Sequence, residues 1–220
     1  MEKKKTNSKG PFSSVKGMRD ISDDKYYQFQ GFFEKAQEVA IYYGFKPIET
    51  PIVEYEEVFT SSIGIGTDII DKEMYTLKTK GGDHLALRPE HTAGTMRSYI
   101  ESGMQSLPQP IMLYGYGPVF RRDNPQKGRY RQFYQFDMDI LGSDKSILDA
   151  LVIKTAMTIL KEAGASNLSV DINSIGDKEC RSSYIRELTS YYKKNINALS
   201  AVDRERLKTN PLRILDSMGS

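Results

Sequence analysis

From Arg131 onward, hydrophobic and polar positions alternate: Tyr134, Phe136, Met138 and Ile140 fall on one side of an extended chain, and Phe133, Gln135, Asp137 and Asp139 on the other. Upstream, Ile111 to Phe120 is apolar and aromatic, and between the two stretches lies a polar connection, Asp123 to Tyr130, holding Asn124, Pro125 and Gly128. The pattern predicts a β-hairpin over Ile111 to Gly142 with one core face and one mostly polar face.

The flanking pattern changes period. Phe29, Phe32, Phe33, Ala36, Val39 and Ala40 recur at helical spacing, so a helix is expected from a cap at Ser22 or Asp23 to about Tyr43, with Gly44 as its stop. Extended chain follows through Tyr55, because Pro47 and Pro51 each push the preceding residue out of helical space. Two short strands, Glu73 to Leu77 and His84 to Leu87, are expected around a Lys80-Gly81-Gly82-Asp83 turn. Pro89 then opens a helix to about Gly103, with Glu90 and Thr92 in its first turn.

After the hairpin, Ser143 or Asp144 is expected to cap a helix to about Ala163, with a buried stripe of Ile147, Leu148, Leu151, Met157 and Leu160. A strand is expected at Leu168 to Ile172, and two polar helices from Asp177 to Leu207. Without alternating βαβ units, the expected class is α+β. The strands around Leu77, Leu87, Leu113 to Arg122 and Arg131 to Leu141 would form one antiparallel sheet flanked by helices. Gly64 and Gly66 in Ser61 to Asp68 lack the strand-to-helix glycine spacing of a dinucleotide fold, so a Rossmann reading is rejected.

With 220 residues, the chain can bury one substantial core, or one core plus a small appendage, and a single domain is the default. Residues 1–14 are rich in Lys, Ser, Asn and Gly and read as a disordered basic tail rather than a signal peptide. No apolar run is long enough to span a bilayer, so the expected compartment is the cytosol and no membrane partner is expected. Cys180 is the only cysteine, and His84 and His91 are the only histidines, which argues against a disulfide or a structural metal site.

A net charge of +2 does not make the surface globally basic, but the hairpin loop is locally so. Arg121, Arg122, Lys127, Arg129 and Arg131 stand there against one acid, Asp123, and Asp137 and Asp139 follow on the next strand. Such a hairpin is either a solvated charged surface or a site for a ligand bearing both phosphate and ammonium groups.

The stretch FRRDNPQKGRYRQFYQFDMDILG resembles motif two of class II aminoacyl-tRNA synthetases, in the form found in histidyl-tRNA synthetases. TDIIDKEMYTL, LALRPEHTAG and YGPVFRR upstream, and INSIG and NPLRILDS downstream, resemble that family in the same order, so the likeness runs from about Val15 to Ser217. It implies a class II catalytic core over 15–175, with motifs one and two, and a helical segment over 176–220 entering an insertion domain. The rest of the catalytic domain and the anticodon-binding domain would lie outside these residues.

The resemblance also implies ATP-dependent formation of histidyl-adenylate and its transfer to tRNA(His). ATP is the co-substrate, with Mg²⁺. Arg121 matches the catalytic motif-two arginine. Glu90, Thr92, Arg121, Gln135 and Asp139 match positions that bind histidine, and Lys127, Arg129 and Arg131 lie in or beside the loop that meets tRNA. The helix, strand and Pro51 correspond to motif one and imply a homodimer. Two positions depart from the usual pattern: Ile65 stands where an acid is common, and His91 where glycine is frequent. The alternative is the regulatory subunit of ATP phosphoribosyltransferase, a non-catalytic relative with no evident need for the basic loop. The class I signatures, His-x-Gly-His and Lys-Met-Ser-Lys-Ser, do not occur.

Overall fold

The computed structural model describes residues 12–63, 67, 69–174 and 176–215. The tail expected at 1–14 therefore lies largely outside the described residues, as do Gly64, Ile65 and Gly66. The chain divides into two compact units, Met1–Leu168 and Ser169–Ser220.

In the first unit the leading helix, α1, spans Asp23–Tyr42, close to its expected bounds. Strands β1 (Lys46–Pro47) and β2 (Val53–Tyr55) follow. A short helix, α2 (Glu56–Ile63), comes next. The second hairpin is β3 (Tyr75–Lys78) and β4 (His84–Leu87). Helix α3 (Thr92–Glu101) leads into the long hairpin of β5 (Ile111–Phe120) and β6 (Gln132–Leu141). Helix α4 (Ser146–Glu162) completes the unit's regular elements.

The β5–β6 pairing runs in continuous antiparallel register from Ile111↔Leu141 to Phe120↔Gln132. Its apolar face is the one the alternation marks: Phe136, Met138 and Ile140 pack against Ala36, Val39 and Ala40 of α1 and Ile159 and Val152 of α4. Phe29 stands edge-on to Tyr134 at 4.6 Å between ring centres, and Phe33 stacks on Tyr116 at 5.1 Å. With its apolar side covered by helices, the opposite side of the hairpin is left for polar groups.

The expectation of one sheet is corrected. The strands form two three-stranded sheets, β1-β5-β6 and β2-β4-β3, and β1 pairs with β5 in parallel. Pro89 stops β4, and Pro118 in β5 has no N–H to donate across the gap. Main-chain bonds still join the two sheets: Phe120 N–H donates to the Arg88 carbonyl at 3.0 Å, and Arg122 N–H to that of Glu73 at 2.6 Å. A second small core, Phe59, Met74, Ala86 and Ala93, holds α2 and α3 against the β2-β4-β3 sheet.

Other expectations also shift. Helix α3 starts at Thr92, not Pro89, because Glu90 folds back to cap it. Helix α4 is preceded by Lys145 at its cap position, and it buries Thr155 and Ile159 while Ile147 is 68% exposed, so the expected stripe is rotated. Residues 168–172 form no strand: no described strand pairs with them, and Val170 and Ile172 are exposed.

In the second unit, α5 (Lys178–Lys194) and α6 (Ala201–Thr209) are the two expected polar helices. Asp177 caps α5 by accepting from Cys180 N–H at 2.7 Å, and Ser200 caps α6 by accepting from Asp203 N–H. Pro211 opens a single turn of tighter helix after α6.

Candidate active site

The polar face of β6 presents Gln135, Asp137 and Asp139 in line, and their partners on β5 are Gly117, Gly115 and Leu113. Paired residues of an antiparallel ladder point to the same side, so the two glycines leave room above this face. Arg88 and His91 take that room. A Cβ on Gly117 would stand 2.5 Å from Arg88 Nη2 and 3.6 Å from His91 Cε1, and one on Gly115 would stand 3.8 Å from His91 Nδ1.

Arg88 is 4% exposed, and its side chain donates to the carbonyls of Pro118 (2.9 Å) and Thr50 (2.8 Å). Burial lowers its pKa, opposed by the carboxylates of Glu49, Asp137 and Glu54. His91 is 3% exposed, with Nε2 3.4 Å from the Gly117 carbonyl. Burial, reinforced by Arg88, pushes its pKa down to about 4, so the ring is neutral near pH 7. The His91 imidazole therefore packs against Gly115 and Gly117 of β5 on that same face.

The segment 88–92, from the end of β4 to the first residue of α3, sets the remaining geometry. Both carboxylate oxygens of Glu90 accept main-chain bonds, from Thr92 N–H at 2.7 Å and Ala93 N–H at 2.8 Å, satisfying donors that a helix start leaves open. Thr92 Oγ1 donates to Asp139 Oδ1 at 3.1 Å, tying α3 to β6. Arg121, just past β5, donates from Nε to the Pro89 carbonyl at 2.9 Å and lies 5.3 Å over the Phe133 ring. Glu90, Thr92, Arg121 and Asp139, named from the sequence, are thus linked through one short segment, and Gln135 sits on the same β6 face.

Two carboxyls here hold their protons more tightly than usual. Burial, with Asp139 and Glu90 adding to it, raises Asp137 to about 6 against the pull of Arg121 and Arg88. Asp139 is also raised, by burial first and then Glu90, while bonds from Thr92 and Thr95 oppose the shift. Asp137 Oδ2 and Gln135 Oε1 are both buried without a hydrogen-bond partner. Arg88 and the direction of His91 were missed as site features in the sequence, and Asp137, noted there beside Asp139 as a carboxylate of the charged hairpin, was given no role of its own. The β6 alternation placed Asp137 on the polar face, but the contacts of Arg88 and His91 are all long-range.

The basic loop is less uniform than its composition suggests. Lys127 is exposed. Arg129 pairs with Asp123 at 3.0 Å, and Arg131 is half-buried, donating from Nε to the Asp123 carbonyl at 3.1 Å. Among the described residues no three His, Cys, Asp or Glu side chains gather into a set able to hold a metal ion. No described helix is long and apolar enough to cross a membrane.

A long antiparallel hairpin backed by helices, carrying an arginine and carboxylates on its open face, is the architecture of a class II aminoacyl-tRNA synthetase catalytic core. The family model described as histidyl-tRNA synthetase matches residues 17–218, and the chain belongs to that family. It is 43% identical over 201 residues to a histidine–tRNA ligase of Desulforamulus reducens, a match covering 91% of this chain and 48% of that protein. The crystal structure of apo S. aureus histidyl-tRNA synthetase superposes with a TM-score of 0.71 at 34% identity, covering 94% of this chain and 49% of that one. A Bacillus halodurans structure described as an ATP phosphoribosyltransferase regulatory subunit/histidyl-tRNA synthetase is more distant, with a TM-score of 0.65 at 25% identity, covering 91% and 54%. The chain spans about half the length of the curated relatives it matches.

Proposed function

We propose that the chain is the leading part of a histidine–tRNA ligase that activates histidine with ATP and transfers it to tRNA(His). The observation that carries this reading is the segment 88–92, which holds Arg121 through the Pro89 carbonyl and Asp139 through the Thr92 hydroxyl, with Asp137 near enough to feel the Arg121 charge. Such a site has acceptors for an ammonium group at one end and a guanidinium for phosphate at the other.

In the activating step, an oxygen of the histidine carboxylate bonds to the α-phosphorus of ATP and pyrophosphate leaves. Negative charge builds on the non-bridging oxygens, and Arg121 is assigned to stabilise it from a position fixed before reaction. Its bond to the Pro89 carbonyl and its place over Phe133 hold it there. Thr92, Gln135 and Asp139 are assigned to the bound histidine. Glu90 both caps α3 and adds negative potential where the ammonium group binds. In the transfer step a hydroxyl of the terminal ribose takes the acyl group and AMP leaves. Lys127 and Arg129 are assigned to backbone phosphates of that tRNA, and Arg131 to the base of their loop.

Mg²⁺ bound with ATP would be held chiefly by the nucleotide's phosphates, in keeping with the lack of a protein-only metal cage among the described residues. We assign residues 15–175 to the catalytic core and 176–220 to the start of an insertion domain. A homodimer through α1 and the Pro51 strand is part of the proposal, supported by the exposure of Ile52, Val53 and Tyr55. Action in the cytoplasm is part of the same proposal. The regulatory-subunit reading is disfavoured because the 43% identical relative is a histidine–tRNA ligase. Histidine-dependent ATP–pyrophosphate exchange by the intact protein tests the activation step, and no exchange at saturating substrates would overturn it.

A further inference from the structure

The segment Val15–Asp20 precedes α1 and has no role in the site described above, yet it crosses the base of the basic loop. Arg131 N–H donates to the Gly17 carbonyl at 2.7 Å, and the Arg131 carbonyl accepts from Arg121 N–H at 3.0 Å. Arg131 is therefore the middle rung between the leading segment and the end of β5. Gly17 has φ +86°, and a Cβ there would stand 2.8 Å from Arg131 Cγ and 2.9 Å from Pro125 Cγ, so backbone conformation and space both demand glycine. Two residues on, the Arg19 guanidinium lies 4.1 Å above the centre of the Tyr130 ring, and its Nη1 donates to the Tyr130 hydroxyl at 2.9 Å.

At the loop's entry Arg122 N–H donates to the Glu73 carbonyl, and the fastenings within the loop are local. Gln126 and Arg129 close its tip, and Asp123 binds Arg129 and Arg131 within the same turn of chain. These bonds fold the loop on itself, whereas the contacts of Gly17 and Arg19 tie it to a segment more than 100 residues away in sequence.

We propose that Val15–Asp20 is a strap that holds the basic loop in its RNA-binding shape, with Gly17 and Arg19 as positioning residues for engagement of the tRNA backbone. The inference rests on the proposed function. A loop ordered before it meets phosphate avoids the ordering cost that a loose loop bears on binding, so the strap acts on tRNA affinity and leaves amino-acid activation alone.

The test uses Arg19→Ala and Gly17→Ala in the intact protein, with Arg19→Lys as the conservative variant. Arg19 is exposed, so its loss leaves the core untouched. The expected result is a KM for tRNA raised about three- to tenfold in the alanine variants, with histidine-dependent ATP–pyrophosphate exchange unchanged. Tryptic cleavage after Lys127 and Arg129 should also be several times faster. Arg19→Lys, which keeps the charge and loses the planar stack, should fall between. Unchanged KM and unchanged cleavage in both alanine variants would overturn the strap, as would a loss of exchange equal to the loss of aminoacylation. If the unsubstituted protein does not charge tRNA, the functional reading falls instead, while the cleavage rates still decide whether the strap orders the loop.

Discussion

The guanidinium of Arg88 fills the space that a side chain at residue 117 would need: a Cβ on Gly117 would stand 2.5 Å from Arg88 Nη2. Because Arg88 is anchored to the Thr50 and Pro118 carbonyls, it cannot swing aside without giving up a buried bond and a part-buried one.

Gly117→Ala is therefore expected to destabilise the fold by about 1 to 3 kcal/mol, the usual range for overpacking a filled interior. Gly31→Ala in α1 is the control of opposite sign, since a Cβ there meets nothing within 4 Å. It should stabilise by about 0.5 to 1 kcal/mol through helix propensity alone. Urea midpoints of the two variants check both, and equal midpoints would contradict the placement of Arg88.

Arg121→Ala should lower histidine-dependent pyrophosphate exchange about 100- to 1,000-fold, the common loss for one fixed transition-state donor. Its side-chain hydrogen bond to the Pro89 carbonyl, made by a charged group, puts the stability cost at about 1.5 to 3 kcal/mol, below the usual total stability of a domain, so the protein should remain folded. An exchange rate within a few-fold of the unsubstituted protein would remove Arg121 from the chemistry.

Thr92→Val keeps the shape of the side chain but takes away the donor to Asp139. Hydrogen bonds to charged groups contribute about 1.5 to 3 kcal/mol, so the KM for histidine should rise about tenfold or more while the KM for ATP stays put. Steady-state exchange kinetics separate the two constants.

His91 and Asp137 drive stability in opposite directions over one pH range. His91 titrates near 4 in the folded chain against 6.5 ordinarily, so its stabilising contribution is lost as pH falls from about 6.5 towards 4. Asp137 titrates near 6 against 3.8 ordinarily, so the folded chain holds a proton that the unfolded one lacks, and stability from this group rises as pH falls through the same window. Burial, then Asp139 and Glu90, push Asp137 up, and Arg121 and Arg88 pull it down. Asp137→Asn should expose the histidine slope, a loss on the order of 1 to 3 kcal/mol between pH 6.5 and 4 that the unsubstituted protein largely hides. Parallel stability curves for the two proteins would contradict this.

The long hairpin and α1 are legible in the sequence because each depends on a local period, two residues for β6 and between three and four for α1. The site is half legible. Arg121, Gln135 and Asp139 follow from strand alternation and the motif, but Arg88 reads as one more charge beside a proline until Thr50 and Pro118 are brought to it. The division into two sheets was hidden for a similar reason: Pro89 and Pro118 are visible as residues, but that Arg88 lies beside the Pro118 to Phe120 end of β5 is a matter of register. Residues 168–172 have strand composition and no strand, since a strand needs a partner that composition does not supply.

Between β4 and α3 the chain has no slack. Arg88 is bonded to Thr50, Pro118 and Phe120, the Pro89 carbonyl to Arg121, Glu90 to the start of α3, and Thr92 to Asp139, while His91 lies against Gly117. Each of five successive residues is committed to a different neighbour, and one inserted residue would move the chain by up to about 3.8 Å, more than the length of any of these bonds. Length is thus under tighter constraint here than residue identity. Natural relatives should accept extra residues in the Lys80 to Gly82 turn, where a Cβ on Gly82 meets nothing within 4 Å, and none between residues 88 and 92.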